Sequence, residues 1–132
     1  MTLVELLGGA DVSKSLYCLN MAGLSEAQLY LRRFDELSNG QRYRAMLAKL
    51  VDSEANVWIA DEFLANLDPI TACIVAKNIR EHARKSGVTL VAGAPHFGNF
   101  LAALQPDIVI QMQSPGEYHV VAGHAFETQL NQ

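Results

Sequence analysis

Basic charge is scarce in this 132-residue chain. Ten Lys and Arg stand against fourteen Asp and Glu, the formal net charge is −4, and no basic block occurs. Composition therefore gives nucleic-acid binding no support. Cysteine is nearly absent: Cys18 and Cys73 stand far apart and lack metal-ligand spacing. That argues against a disulfide framework and a thiolate metal site, and reads as two reduced thiols of a cytosolic protein. His82, His119 and His124 have no ligand-like spacing with Cys or acids. No apolar run approaches the ~20 residues that span a bilayer. Nor does the N-terminus show the basic, apolar, small-residue order of a signal peptide, so a cytoplasmic location is expected. The length bounds the chain at one domain with one core.

Against these absences one stretch stands out: Val57-Trp58-Ile59-Ala60-Asp61-Glu62-Phe63-Leu64-Ala65-Asn66-Leu67-Asp68. Four apolar residues running into two acids fit a strand buried on both faces, as in a parallel sheet. Acids at the carboxyl end of such a strand lie where open α/β sheets place their ligands. In phosphoryl-transfer proteins an Asp there holds Mg²⁺, and a neighbouring acid can orient the attacking water. A strand ending in two solvated acids remains the plainer alternative.

The rest of the chain gives this stretch its setting. Residues 2–7 form an apolar run, strand or helical turn, broken by Gly8-Gly9. Asp11 is expected to cap a helix over 12–21 that Gly23 closes. Ser25 with Gln28 suggests a capping box opening a helix over 26–36. A helix from about 39 to 51 follows Leu37-Ser38-Asn39-Gly40-Gln41. Ser38 can cap it, and Gly40 leaves backbone N–H groups open to an anion; taken alone, such a sequence is more often an ordinary cap. Pro69 opens a helix to 86, closed by Gly87. Residues 88–92 form a second buried strand, with Gly93-Ala94-Pro95-His96 at its end. A short helix at 97–104, a strand at 108–112 and a returning strand at 118–122 follow. Pro115 and Gly116 suit a type II turn between them. Residues 124–132 are expected to be loosely held. The fold class is α/β, with a helical part over 1–52 and an α/β part over 53–132.

Together these stretches resemble the ABC-type ATPase family. Leu37-Ser38-Asn39-Gly40-Gln41 is similar to its signature motif, Val57 to Glu62 to its Walker B strand and catalytic Glu, Ala65-Asn66-Leu67-Asp68 to its D-loop, and His96 to its switch histidine. The match covers roughly residues 10–112. It also looks similar to soluble members fused to acetyltransferase-like domains. The resemblance implies the C-terminal part of a P-loop NTPase fold, with ATP and Mg²⁺ as cofactors. It implies that Asp61 binds Mg²⁺, Glu62 polarises the attacking water and His96 contacts the γ-phosphate. Ser38, Asn39, Gly40 and Gln41 would meet nucleotide held by another subunit, and Asp68 the partner across a dimer interface. Asn39 replaces a usual Gly, and Pro95 a usual hydroxyl residue.

What the resemblance lacks is a phosphate-binding loop, Gly-x-x-x-x-Gly-Lys-Ser/Thr. Residues 8–15 match that pattern except for Ser13 in place of the second Gly, and Asp11 would bring negative charge to an anion site. The plainer reading is a Gly-Gly break and a helix cap. In the family the P-loop strand lies between the strands at 88–92 and 108–112, so that strand is expected to be missing. Three functions follow. The chain is part of an ATPase, inactive until a P-loop-bearing part or second subunit completes it, or until copies exchange strands. Alternatively it is a minimal nucleotide-binding protein that uses Lys14, with 2–7 as a strand beside 88–92. Or it is a non-enzymatic module pairing with a full ATPase.

Overall fold

The computed structural model describes residues 1–7, 11–98 and 100–130. The run at 2–7 resolves as a helical turn, α1 (Leu3–Leu6). Thr2 caps it, and the Glu5 carboxylate accepts the Thr2 N–H at 2.7 Å. Leu3 and Leu7 are buried, so this run is spent as packing. α2 (Val12–Met21) starts at Asp11, whose carboxylate accepts the Lys14 N–H, as expected. At its end the N–H of Leu24 donates to Leu19 O at 2.8 Å and that of Gly23 to Asn20 O at 3.0 Å. Gly23 sits at φ +80°, and a Cβ there would stand 2.9 Å from Val75 Cγ2. Conformation and space both demand glycine at this crossing.

The helix expected over 26–36 breaks in two: α3 (Ala27–Tyr30) and a 3₁₀ turn at Phe34–Glu36. Ser25 does not cap; Glu26 holds that position without a side-chain capping bond. The cause is backbone demand from the N-terminus. Leu3 N–H donates to Arg32 O at 3.0 Å, and Thr2 pairs with Arg33 as an antiparallel bridge. Groups spent on that pairing cannot continue a helix.

α4 (Asn39–Asp52) follows, then β1 (Val57–Ala60), α5 (Pro69–Ser86) and β2 (Thr89–Ala92). β1 and β2 pair in parallel, Val57 opposite Thr89 and Ala60 opposite Ala92. α6 (Leu101–Leu104) is shorter than the sequence suggests. Arg80 and Arg84 of α5 hold its end by donating to Ala103 O and Gln105 O. β3 (Ile108–Ser114) and β4 (Glu117–Ala122) form the expected hairpin, with Gly116 at φ +84° in its turn. The tail is not loose up to residue 130. It forms α7 (Gly123–Leu130), anchored by Phe126, which packs with Leu101 and Val109.

The core joins α2, α4, α5 and β1 through Leu19, Ala48, Trp58, Val75 and Ile79. Trp58 stacks on His82 with ring centroids 5.6 Å apart, and His82 Nδ1 lies 2.9 Å from the Tyr17 hydroxyl. His82 is therefore half-buried against the core, and burial pushes its pKa down. The strands, however, are not buried on both faces. Trp58 is buried on the α5 side, while Val57 is 56% and Ile59 78% exposed on the other. Two sheets of two strands each result, β1–β2 and β3–β4. Among the described residues no strand joins β2 to β3, in keeping with a missing P-loop strand. A cavity of about 390 Å³ separates them.

Gly23→Ala should lose about 1–2 kcal/mol from the left-handed backbone alone. Gly98→Ala, where a Cβ meets nothing within 4 Å, is its control. Urea titration of both checks this, and equal midpoints would contradict it.

Candidate functional site

The site grows from two chain reversals and one helix start. Ser38 caps α4: its Oγ accepts the Gln41 N–H at 3.2 Å, and Gln41 Oε1 accepts the Ser38 N–H at 3.0 Å. Asn39 and Gly40 head a 14-residue helix, so its positive end is presented there. A Cβ on Gly40 would lie 3.7 Å from both Asn66 O and Leu67 Cδ2. The start of α4 thus adjoins residues 66–67, two stretches that sequence alone paired only through the family resemblance.

At the end of β1 the chain reverses through Asp61-Glu62-Phe63-Leu64. Glu62 has φ +49° and Leu64 φ +58°, two non-glycine residues in the left-handed region within one turn. Such conformations are costly and persist only where surroundings over-determine them. Here every amide from 62 to 65 is bound. Glu62 N–H donates to Asp61 Oδ1 at 2.9 Å, Phe63 N–H to Gly93 O at 2.8 Å, Leu64 N–H to the Tyr43 hydroxyl at 3.1 Å, and Ala65 N–H to Glu62 O at 3.0 Å. Phe63 is buried edge-on to Phe100, with centroids 5.6 Å apart. The anchor leaves Asp61 and Glu62 exposed at the strand end.

The end of β2 meets the same turn. Gly93 N–H donates to Ala60 O at 2.9 Å, and a Cβ on Gly93 would lie 3.3 Å from Asp61 Oδ1. His96 follows three residues later on this loop and is exposed. Asp68 caps α5, its Oδ2 accepting the Thr71 N–H at 3.0 Å. Hydrogen bonds from Thr71 hold its carboxyl below the usual carboxylate range.

Lys14 goes elsewhere. Its Nζ pairs with Asp52 at 3.1 Å, and Ser15 Oγ donates to Leu7 O at 3.0 Å. Gly8, Gly9 and Ala10 of the candidate phosphate loop lie outside the described residues. With 3–6 helical and Lys14 committed to Asp52, the minimal reading loses the strand and the lysine position it requires. Two contributors escape the motifs: Tyr43, which grips Leu64, and Gly93, which makes room for Asp61. Burial raises the Tyr43 phenol pKa. Gly93 was visible as the glycine ending a strand; nothing in the sequence marked Tyr43.

Among the described residues, no group of three or more His, Cys, Asp or Glu could hold a metal ion. The donor set at Asp61 and Glu62 instead fits Mg²⁺ bound jointly with phosphates, which uses one or two carboxylates and takes its other ligands from phosphate and water.

No protein-family model matches the chain. It is 33% identical over 91 residues to the phosphonates import ATP-binding protein PhnC 2 of Trichodesmium erythraeum, covering 69% of this chain and 34% of that one. It is 39% identical over 90 residues to the cytochrome c biogenesis ATP-binding export protein CcmA of Wolbachia pipientis, covering 68% and 44%. Its fold matches a bacterial ABC transporter cassette solved as a dimer, with TM-score 0.69 and 21% identity, over 83% of this chain and 51% of the other. Fold and sequence neighbours therefore point to the ABC-transporter ATPase superfamily. The chain spans less than half the length of these curated relatives and about half of the solved cassette. It has no identifiable P-loop strand among the described residues, consistent with an incomplete catalytic unit. No described helix is long and apolar enough to cross a membrane.

Two outcomes follow. Asp68 titrates lower folded than unfolded, so its contribution is present at neutral pH and is lost as pH falls through the folded value. Asp68→Asn should flatten that part of the stability profile, the stretch where pH falls from the ordinary carboxylate range through the lower folded value, read by thermal melts. Tyr43→Phe should cost about 1 kcal/mol in urea titration and speed amide exchange at Leu64; unchanged exchange would show the bond to be idle.

Proposed function

We propose that this chain is the C-terminal portion of an ABC-type ATPase, which binds and hydrolyses ATP once a P-loop-bearing part completes it. The observation that carries this reading is the over-determined turn at 61–64. It is gripped by Tyr43 of α4 on one side and by the Gly93 loop on the other. A non-enzymatic module gives no reason to hold two left-handed residues in place so that two acids stay exposed.

Each residue then has a task. Asp61 would hold Mg²⁺, its Oδ1 already accepting the Glu62 N–H, which fixes the carboxylate. A bound Mg²⁺ would neutralise phosphate charge. Glu62 would polarise the attacking water. His96 would contact the γ-phosphate from the neighbouring loop. Ser38, Asn39, Gly40 and Gln41 would offer the positive end of α4 to nucleotide held by a second subunit. Asp68 would sit at that subunit boundary. Little covalent work falls to the protein; placed charges and donors do the work. The names of the relatives reported above, an import and an export ATP-binding protein, do not favour the narrower likeness to acetyltransferase-fused ATPases. We place the completed protein in the cytoplasm.

The test is phosphate release from ATP by the chain alone, and by the chain combined with the portion of PhnC 2 outside the matched stretch. The chain alone should release none and the combination should turn over. Glu62→Gln in the combination should lower the rate about 10²–10⁴-fold while nucleotide binding persists. Undiminished turnover in that variant would remove Glu62 from the chemistry and the proposal with it.

A further inference from the structure

The hairpin carries an apolar face without cover. Its register sets Ile108 opposite Ala122, Ile110 opposite Val120 and Met112 opposite Tyr118. Residues opposite each other share a face, and successive residues alternate between faces. Val109 marks the helical side, where it packs with Leu101 and Phe126. The three pairs therefore turn away from the helices. Ile108, Ile110, Met112, Tyr118 and Val120 are each between 59% and 66% exposed, and none is charged. The β1–β2 pair repeats the pattern. Trp58 packs on the α5 side, whereas Val57, Ile59 and Val91 are more than half exposed on the opposite face. Arg80 and Arg84 of α5 hold the end of α6, so both bare faces look away from one helical layer.

We propose that this bare sheet face is an interface between two copies of the chain, packed face to face about a two-fold axis. The available area supports a second copy. Burying a side chain of this size removes on the order of 100 Å² from water. The five on the hairpin then supply about 500 Å² per copy, and all eight about 800 Å², the share that each partner brings to a stable interface of standard size. Chemistry supports it as well. A two-fold contact sets one patch against itself, and an uncharged apolar patch is its own complement. Lys85 is the last Lys or Arg in the sequence, so the hairpin has no basic rim to draw it to an anionic bilayer. The acids nearby are engaged with their own chain. Asp107 lies 3.9 Å from Arg84, and Ser114 Oγ donates to Glu117 at 2.8 Å.

The paired sheets would lie about 10 Å apart with strands within about 30° of each other, as in a sandwich. All four strands keep their present partners, so copies need exchange nothing. None of the eight side chains belongs to the nucleotide site, and the contact is distinct from the subunit boundary placed at Asp68. It describes the chain by itself and stands whether or not the ATPase reading holds.

The test is sedimentation equilibrium of the full chain without nucleotide, from about 1 to about 100 μM. The expected mass at the upper end is twice the 14.5 kDa of one chain. Ile110→Lys places a charge in the contact twice per dimer and should raise the half-dissociation concentration at least about 100-fold. Val120→Lys, on the cross-strand neighbour, should do the same. Gln111→Lys, on the other face of the hairpin, should leave the dimer as it is. Met112 adds a readout that needs no variant. Its oxidation by excess hydrogen peroxide should slow at least about threefold at the upper concentration, while Met46 of α4, 54% exposed, oxidises at a constant rate. A monomer throughout leaves the face to some other polypeptide and overturns the interface, as does a mass that climbs past two copies. A dimer that both lysine variants leave intact overturns it, and so does one in which Met112 oxidises as fast as in the monomer. A chain that stays monomeric in solution and floats with phosphatidylcholine–phosphatidylglycerol vesicles would give the face to a bilayer and overturn it too.

Discussion

The crossing of backbone bonds at Gly93 is the interaction on which the rest depends. Gly93 donates to the last residue of β1 and accepts from Phe63 just beyond it. These two bonds tie the ends of both parallel strands and lock the turn that carries Asp61 and Glu62. The bond to Leu64 then recruits α4 through Tyr43. Remove the crossing, and the two left-handed residues lose a main restraint, while the helix start no longer has a fixed neighbour. Placement of the acids is therefore a property of several elements at once, as preorganised electrostatic sites require.

The helical half and the α/β half are satisfied to different degrees. α1 to α5 enclose a core whose largest side chains are fully buried, and α1, α2, α4 and α5 start at side-chain caps. The β1–β2 sheet keeps one face bare, and with two strands to each sheet every strand has one edge without a strand partner. Packing on the α5 side explains why β1 and β2 hold their shape with only one strand neighbour. Trp58 and the helices behind it hold the pair from one face, in place of the sheet that would ordinarily flank it.

Much of the architecture was legible because single residues carried the signals. Asp11, Pro69, Gly87 and Gly116 mark ends and turns through backbone preference, and all four do so here. The parallel pairing and the hairpin were legible from apolar runs bounded by such punctuation. Failures came where distant backbone intervened. The helix at 26–36 broke because residues 32–33 pair with residues 2–3, a contact that local periodicity cannot reveal. The tail formed a helix because Phe126 found Leu101 and Val109. Burial on both faces was inferred from β1 and β2 as apolar runs, but apolarity records what a strand can bury, not what is present to bury it. At the site, the motif residues were visible by order and spacing. Tyr43 was not, since a tyrosine inside an amphipathic helix looks the same whether its hydroxyl is solvated or grips a turn.

Trp58 is the one tryptophan of the chain and lies flat against His82, three residues before Asp61. An indole emits according to its surroundings, and here those surroundings are the joint between β1 and α5. The molecule thus carries its own optical label at the base of the site, with no competing tryptophan signal. Any rearrangement that shifts the strand bearing the acids against its supporting helix is written into the colour and intensity of that light.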